Sequence, residues 1–324
     1  MKHYKNHAVV LFVAFATLVC LAALAATAAR SQSQLIDKAS ASATRPSNVQ
    51  PTAAIRERRA QPLAGEEAQP SFGPLTTTRN LLLKNDLNWV FGGKQQRGWY
   101  LYEPLIGRLL ETEKDAGTSD FASALARWQK TYGLLPSGVL DDETLYQMVS
   151  TWQSTRIKDK SYPQPHQLVT APISDFYDPT RPEELRQVER EAYTAYKRMI
   201  AAAIADPSLG LAATPAGELA PSERYMKIIS SFRSREYQER LRKQSPNSGR
   251  AGLALHSPHF TGRALDIYVG GEPVETKDAN RALQVQTRVY KWLVRNADKF
   301  GFRPYYYEPW HWEYCPETTV SSKK

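Results

Sequence analysis

Two short stretches in the C-terminal third contain the residues that most restrict how this chain can fold. His259 and Asp266 belong to S-P-H-F-T-G-R-A-L-D, whereas Glu308 and His311 belong to E-P-W-H. Two imidazoles and one carboxylate can bind a divalent ion and leave a fourth position open for water, whose proton the second carboxylate can accept. Because the two stretches are far apart in sequence, a catalytic metal centre requires a fold that brings them to one point.

The sequence around these residues favours such convergence. Gly262 permits a turn after His259, and residues 264–269 predict a strand that carries Asp266. The third ligand must come from distant sequence, and His311 is the candidate that is accompanied by a carboxylate. Zinc suits this donor set and lowers the pKa of bound water to about 7, so a neighbouring carboxylate can act as general base.

Simpler roles for the same residues remain open. His259 could bond to backbone within a loop, and Asp266 could pair with Arg263. His256 could replace His259 as a ligand, although its spacing from Asp266 fits less well. Cys315 could supply a thiolate, but a half-buried free cysteine is the simpler interpretation.

Residues 1–30 predict export to the periplasm or cell envelope. Lys2 and Lys5 precede an uncharged stretch over residues 8–29, which contains the small-residue sequence A-T-A at residues 26–28, typical of a cleavage site. The stretch is also long enough to span a bilayer, so a cleaved signal peptide and an inner-membrane anchor both fit. The order of the charges places the rest of the chain outside.

The net charge of the chain is +9. Such an excess favours polyanionic surroundings, for example an anionic cell wall. No basic run is dense enough to predict a nucleic-acid surface, so we expect no nucleic-acid partner. Cys20 lies in the export segment, which leaves Cys315 without a partner, so the exported part must be stable without a disulfide.

Composition divides the chain into six segments. Residues rich in Ala, Ser, Pro and charge follow the export segment and predict a disordered tether, and four prolines farther along predict a linker. The predicted segments are the export segment 1–30, a tether 31–79, a mainly helical domain 80–156, a Pro-rich linker 157–179, an α+β domain 180–318 and a tail 319–324. No proposed ligand lies in 80–156, so the sequence predicts that this domain is dispensable for chemistry on small substrates.

Helices and strands occur in separate blocks after the linker, which predicts an α+β fold. One helix is expected to start at Thr180, where T-R-P-E matches a capping box, and another to run from Asp278 to Phe300. Strands are expected at residues 225–232, 264–269 and 304–314, and a hairpin is expected in the aromatic-rich residues 87–102.

Residues 121–149 predict a helix, a glycine turn and a second helix. Gly133 is placed to end the first helix, and Asp141 can cap the second. The unit resembles the peptidoglycan-binding domain type 1 family, with Trp128, Ser137 and Asp141 where that family often has Phe, Asp and Gly. The resemblance implies a small wall-binding module that recognises a glycan or a peptide.

The two metal-site motifs resemble the signature of VanY-type zinc D-alanyl-D-alanine carboxypeptidases, within the LAS metallopeptidase family. The upstream S-S-F-R-S-R-E-Y-Q resembles the family's S-G-Y-R-S-x-x-Y-Q, with Ser231 and Phe232 in place of Gly and Tyr. The resemblance covers residues 180–316. It implies a LAS-type α+β catalytic domain with a small antiparallel sheet and flanking helices.

The resemblance also implies a role for each residue of the motifs and one Zn²⁺ ion per chain. The zinc ligands would be His259, Asp266 and His311, the catalytic base Glu308, the oxyanion- or substrate-binding residue Arg233, and the residue lining the substrate cleft Ser257. For Arg233, a surface ion pair with Glu236 or Glu239 remains the alternative.

The expected function is a zinc peptidase that acts on peptidoglycan stem peptides, with metal-bound water activated by Glu308. Removal of a terminal D-Ala is the expected reaction, and endopeptidase cleavage is the alternative within the same family. Two His and one carboxylate also form the facial triad of non-haem iron oxygenases, but export and Glu308 argue against that class. A non-catalytic wall-binding protein with a structural zinc is the third class, and Glu308 argues against it as well.

Overall fold

The computed structural model describes residues 72–244 and 257–316. The described residues belong to one compact unit. The predicted export segment, most of the tether and the tail lie outside the described residues. Among the described helices, none is both long and apolar enough to cross a membrane.

The described part contains eight α-helices and eight strands, joined by short 3-10 turns. The helices are α1 Pro74–Asp86, α2 Glu103–Leu110, α3 Ser119–Thr131, α4 Asp142–Ser154, α5 Arg190–Ala205, α6 Arg235–Gln244, α7 Asp278–Gln286 and α8 Arg288–Asn296. The strands are β1 Asn88–Phe91, β2 Lys94–Arg97, β3 Leu168–Thr170, β4 Gln187–Glu189, β5 Ile228–Ser230, β6 Ala264–Ile267, β7 Phe302–Pro304 and β8 His311–Tyr314.

The central element is a four-stranded antiparallel sheet with strand order β5-β6-β8-β7. In β6 and β8, Leu265 pairs with Trp312 and Asp266 pairs with His311. Helices α5, α7 and α8 contribute buried apolar side chains to the same core. The predicted α+β fold, with a small antiparallel sheet and flanking helices, is confirmed.

Residues 72–156, called here the N-terminal part, are mainly helical. The predicted hairpin is shorter than expected: β1 and β2 turn at Gly92 and Gly93, both with positive φ, whereas residues 100–102 form a 3-10 turn. The predicted cap of α4 is confirmed, since the Asp141 side chain accepts the Thr144 N–H at 2.9 Å. The turn between α3 and α4 is closed by the buried Gln129 amide, which donates to the Val139 carbonyl.

The predicted helix start at Thr180 is wrong. Residues 183–185 form a 3-10 turn, β4 follows, and α5 begins only at Arg190. Glu189 caps that helix by accepting the Ala192 N–H at 2.8 Å. Pairing of β4 with β3 holds the preceding backbone extended and so delays the helix.

The single helix predicted from Asp278 to Phe300 is also interrupted. Helix α7 ends at Gln286, and Thr287 adopts an extended conformation with φ −67° and ψ 149°. The Thr287 hydroxyl then accepts the Tyr290 N–H and caps α8. The cap at Thr287 therefore divides the predicted helix in two, although the apolar side chains of both halves still face the core.

Residues 157–179, the predicted Pro-rich linker, lie against residues 180–316, called here the C-terminal part. Strand β3, within this segment, pairs with β4 of the C-terminal part. The Tyr162 hydroxyl donates to the Arg233 carbonyl at 3.1 Å, and its ring packs on Phe232 and Phe260. The chain division at residues 79, 156 and 179 stays a prediction, but the described segments are in close contact.

Candidate metal centre

His259 is positioned by the 3-10 turn Pro258–Thr261. The Ser257 side chain caps this turn by accepting the His259 N–H at 3.3 Å. Gly262 ends the turn at φ 68°, where a Cβ would lie 3.0 Å from the Glu189 backbone nitrogen. The tight turn brings His259 beside Asp266 on the adjacent strand.

The three predicted ligands meet in the protein interior. His259 Nε2 lies 3.2 Å from Asp266 Oδ1, and His311 Nδ1 lies 3.0 Å from the same oxygen. One donor atom from each of the three lies within 4.8 Å of the others. All three side chains are buried, with at most 4% of the surface exposed. The residues that the sequence predicts to converge do so.

The hydrogen bonds behind these side chains fix which atom of each faces the centre. His259 Nδ1 lies 2.8 Å from the Ser231 carbonyl, which leaves Nε2 facing Asp266. His311 Nε2 lies 3.2 Å from Glu313 Oε1, which leaves Nδ1 facing the same carboxylate. Such hydrogen bonds to carbonyl or carboxylate are typical of metal-binding histidines because they fix the tautomer and the ring orientation.

This arrangement fits a zinc ion. Ligands of a tetrahedral zinc ion at the usual bond lengths lie about 3.3 Å apart. The measured separations from Asp266 Oδ1, 3.2 Å to His259 Nε2 and 3.0 Å to His311 Nδ1, are close to that value. Two imidazole nitrogens and one carboxylate oxygen are also the donors of many catalytic zinc sites, which keep one position open.

The surroundings shift the pKa values of the three proposed ligands in different directions. Burial and the nearby Arg233 lower the pKa of His259 to about 4, so this ring is neutral at pH 7. Burial raises the pKa of Asp266, but His259, His311 and Arg233 outweigh it and hold the pKa well below its usual range. Burial lowers the pKa of His311, but hydrogen bonds with Asp266 and Glu313 outweigh it and raise the pKa to about 9.

Glu308 lies at the edge of this group, on the turn between β7 and β8. Its Oε2 atom is 4.0 Å from His311 Nδ1. The turn is fixed by backbone hydrogen bonds, since the Glu308 N–H donates to the Tyr305 carbonyl and the His311 N–H donates to the Glu308 carbonyl. Burial raises the pKa of Glu308 to about 7. A carboxyl group with such a pKa can accept and return a proton near neutral pH.

Arg233 lies beside the proposed ligands. Its Nη2 donates to Asp266 Oδ2 at 2.9 Å, and its Nε donates to Ser230 Oγ at 3.0 Å. The ion pair of this side chain is therefore with Asp266 and not with Glu236 or Glu239. The two hydrogen bonds hold the guanidinium in place. Because 11% of the side-chain surface is exposed, the guanidinium is also partly open to a ligand.

The other candidates from the sequence do not join the group. Cys315 is a half-buried free thiol outside the cluster, and burial raises its pKa to about 11. His166 is exposed. His256 lies outside the described residues. Ser257 is buried and shapes the turn of His259, and its predicted place in the substrate cleft stays a prediction.

Two residues close to the centre were missed from the sequence. Glu313 contacts His311, and Arg156 contacts Glu313. Glu313 could have been found, because residues two apart on a strand share a face. Arg156 gives no such signal, because it lies far away in sequence at the end of a helix in the N-terminal part.

Residues 185–317 match the model of the VanY family, described as D-alanyl-D-alanine carboxypeptidase. The match includes all three residues of the buried cluster, together with Glu308 and Arg233. This region of the chain is therefore similar to the VanY family. The resemblance of residues 121–149 to a wall-binding module stays a prediction.

The chain is also similar to a solved structure, that of the LdcB LD-carboxypeptidase, which is said to reveal the molecular basis of peptidoglycan recognition. The sequences are 26% identical, the TM-score is 0.33, and the similarity covers 48% of this chain and 71% of that chain. No curated protein matches the chain.

Proposed function

We propose that the C-terminal part is a zinc peptidase that hydrolyses peptidoglycan stem peptides and removes a terminal D-Ala. One observation carries the proposal: in a VanY-type domain, three buried donor atoms converge on one point beside a second carboxyl group, that of Glu308. His259, Asp266 and His311 would hold the ion.

A zinc ion bound there would supply Lewis acidity, lowering the pKa of water and polarising a carbonyl group. Glu308 would accept the proton of the attacking water and pass it to the leaving amine, which its pKa of about 7 suits. Arg233 would bind the carboxylate of the substrate or the oxygen on which negative charge develops, because its guanidinium is always charged and rigid.

Endopeptidase cleavage uses the same chemistry on a peptide without a free C-terminus at the scissile bond. The two reactions are distinguished by paired substrates, one ending in D-Ala-D-Ala and one with that terminus extended or amidated. Cleavage of the free acid alone is expected. Equal cleavage of the amide would replace the carboxypeptidase assignment by the endopeptidase one.

The competing class is a wall-binding protein with a structural zinc. Digestion of purified muropeptides followed by mass spectrometry, combined with metal analysis of the purified protein, separates the classes. Loss of one alanine together with about one zinc per chain is the expected result. Stoichiometric zinc with no product on any muropeptide would favour the structural role, and a protein that binds no zinc would reject both.

We propose further that the N-terminal part binds the wall polymer and that residues 1–30 direct the protein to the cell envelope. The exposed Leu135, with 80% of its surface accessible, lies between α3 and α4 in the unit that resembles a peptidoglycan-binding domain. Leu135→Ser should weaken retention of the full chain on purified sacculi. The matched control is Leu283→Ser, since this leucine of α7 is 65% exposed and lies outside the N-terminal part. Equal retention of both variants and wild type would remove Leu135 from the proposed surface.

A further inference from the structure

We propose that Arg156, a residue of the N-terminal part, is a positioning residue of the metal centre. It would hold Glu313 against His311, so that His311 keeps Nδ1 directed at the metal position. This inference rests on the metal centre of the proposed function. It differs from the modular arrangement predicted from the sequence, because it makes the N-terminal part necessary for metal binding.

The contacts of Glu313 carry the argument. Its carboxylate is fully buried, and its Oε1 atom accepts two hydrogen bonds from Arg156, through Nε at 2.9 Å and through Nη2. The backbone N–H of Ile157 donates to Oε2 at 2.8 Å. Apart from its contact with His311, the hydrogen bonds that the structure gives this carboxylate come from Arg156 and Ile157, which lie shortly after α4.

Arg156 also contacts a second neighbour of His311. Its guanidinium lies 3.9 Å from the ring centroid of Tyr305. The Tyr305 ring in turn packs edge-on against the His311 ring, with centroids 5.8 Å apart, and its backbone N–H donates to the His311 carbonyl. One guanidinium thus supports both the hydrogen-bond partner and the packing partner of this histidine.

Arg156 itself is held in place. Its Nη1 donates to Gln153 Oε1 at 3.1 Å, one turn earlier on α4. Nearby aromatic side chains of the N-terminal part pack on the loop that carries Glu308, with Trp152 and Phe91 at 5.8 and 5.1 Å from Tyr306. Arg156 is therefore held in its orientation by a packed interface and does not lie on a free helix end.

The physical consequence follows from burial. Without Arg156, Glu313 would be a buried carboxylate that had lost its charged partner, which favours either rotation towards water or repacking. In both cases His311 would lose the partner that fixes its ring. Loss of such a partner typically lowers metal affinity 10- to 100-fold.

The test compares variants of the full chain by zinc affinity, measured in competition with a chromophoric chelator, and by the visible absorption of the cobalt(II)-substituted protein. Arg156→Ala should weaken zinc binding about 10- to 100-fold and alter the cobalt spectrum. Arg156→Lys retains the charge but not the fork, so it should restore part of the affinity. Arg108→Ala is the matched control, because Arg108 joins the N-terminal part to Asp298 at 2.7 Å without contacting the centre.

Wild-type zinc affinity in Arg156→Ala, with thermal unfolding unchanged, would overturn the inference. An equal loss in Arg108→Ala would overturn it as well, because the effect would then come from the interface in general. If Arg156→Ala fails to fold, Glu313→Gln takes its place and should weaken zinc binding similarly, and wild-type affinity in that variant would reject the role. Failure of the wild-type protein to bind zinc would instead reject the proposed function.

Discussion

Asp266 and His311 lie directly opposite each other on β6 and β8, with Asp266 Oδ1 3.0 Å from His311 Nδ1. Their proximity is therefore set by strand register, not by loop conformation. A one-residue slip of β8 would turn His311 to the other face of the sheet. Such a slip would also turn the buried Trp312, which pairs with Leu265, away from the face of the sheet on which it packs.

Glu308→Gln is expected to abolish hydrolysis while zinc remains bound. Glutamine is similar in shape but cannot accept the proton, and general bases typically contribute 10²- to 10⁴-fold to rate. Turnover on a D-Ala-D-Ala peptide and zinc content should be measured on the same preparation. Wild-type turnover in this variant would show that Glu308 is not the base.

Alanine at each of the three proposed ligands should lower zinc content and activity together. Each of His259→Ala, Asp266→Ala and His311→Ala removes one of the buried donors around the common point. His166→Ala is the matched control, since that side chain is exposed in residues 157–179. If one of these variants kept full zinc occupancy, the replaced residue would not be a ligand, and His256 would then be tested.

The free energy of unfolding of the metal-free protein should depend on pH through the titration of Glu308. Its folded pKa of about 7 lies above the ordinary value of 4.5, so the folded state binds the proton more tightly. The stabilisation is thus complete below the unfolded pKa and is lost as pH rises through about 7. Glu308→Gln lacks this titration. Its free energy of unfolding relative to that of wild type should therefore rise by up to about 3 kcal/mol from acidic to alkaline pH.

Urea unfolding of both proteins with a chelator, at about pH 5 and about pH 8, measures this difference. The two pH values bracket the upper part of the titration. A stability difference between variant and wild type that is the same at both would contradict a raised pKa at Glu308.

Arg233→Lys should reduce kcat by roughly 10- to 100-fold, because lysine keeps the charge but lacks the fork that binds carboxylates and oxyanions. Zinc content should be checked, since Arg233 also contacts Asp266. Arg242→Lys, on the exposed surface of α6, is the control and should behave as wild type. Unchanged kcat/KM for Arg233→Lys would limit this residue to orienting Asp266.

The convergence of His259, Asp266 and His311 could be predicted from the sequence because each of them belongs to a local motif. The turn at Gly262 fixes His259, and strand alternation fixes Asp266. Helix boundaries were harder to predict where pairing or capping competes with propensity. The late start of α5 depends on the β3–β4 pairing, and the break at Thr287 depends on a hydroxyl cap, so both are decided by contacts that a local pattern does not contain.

Long-range support of the site could not be predicted for the same reason. Arg156 and Glu313 are 157 positions apart in sequence and meet only through packing of the two parts. Four prolines in residues 157–179 predicted a linker, yet Tyr162 in that segment donates to the Arg233 carbonyl. The contacts of Arg156 and Tyr162 therefore favour dependence of catalysis on residues 72–179, in contrast to the independence expected from composition.

The strand order of the central sheet also bears on how the protein is made. Strand β8 is the last of the described strands in chain order but lies inside the sheet, between β6 and β7. Until His311–Tyr314 has emerged, β6 has a free edge and β7 has no partner, and unpaired edges of this kind are prone to association with other chains. A premature stop before residue 311 would therefore yield an aggregation-prone fragment and not a weakened enzyme.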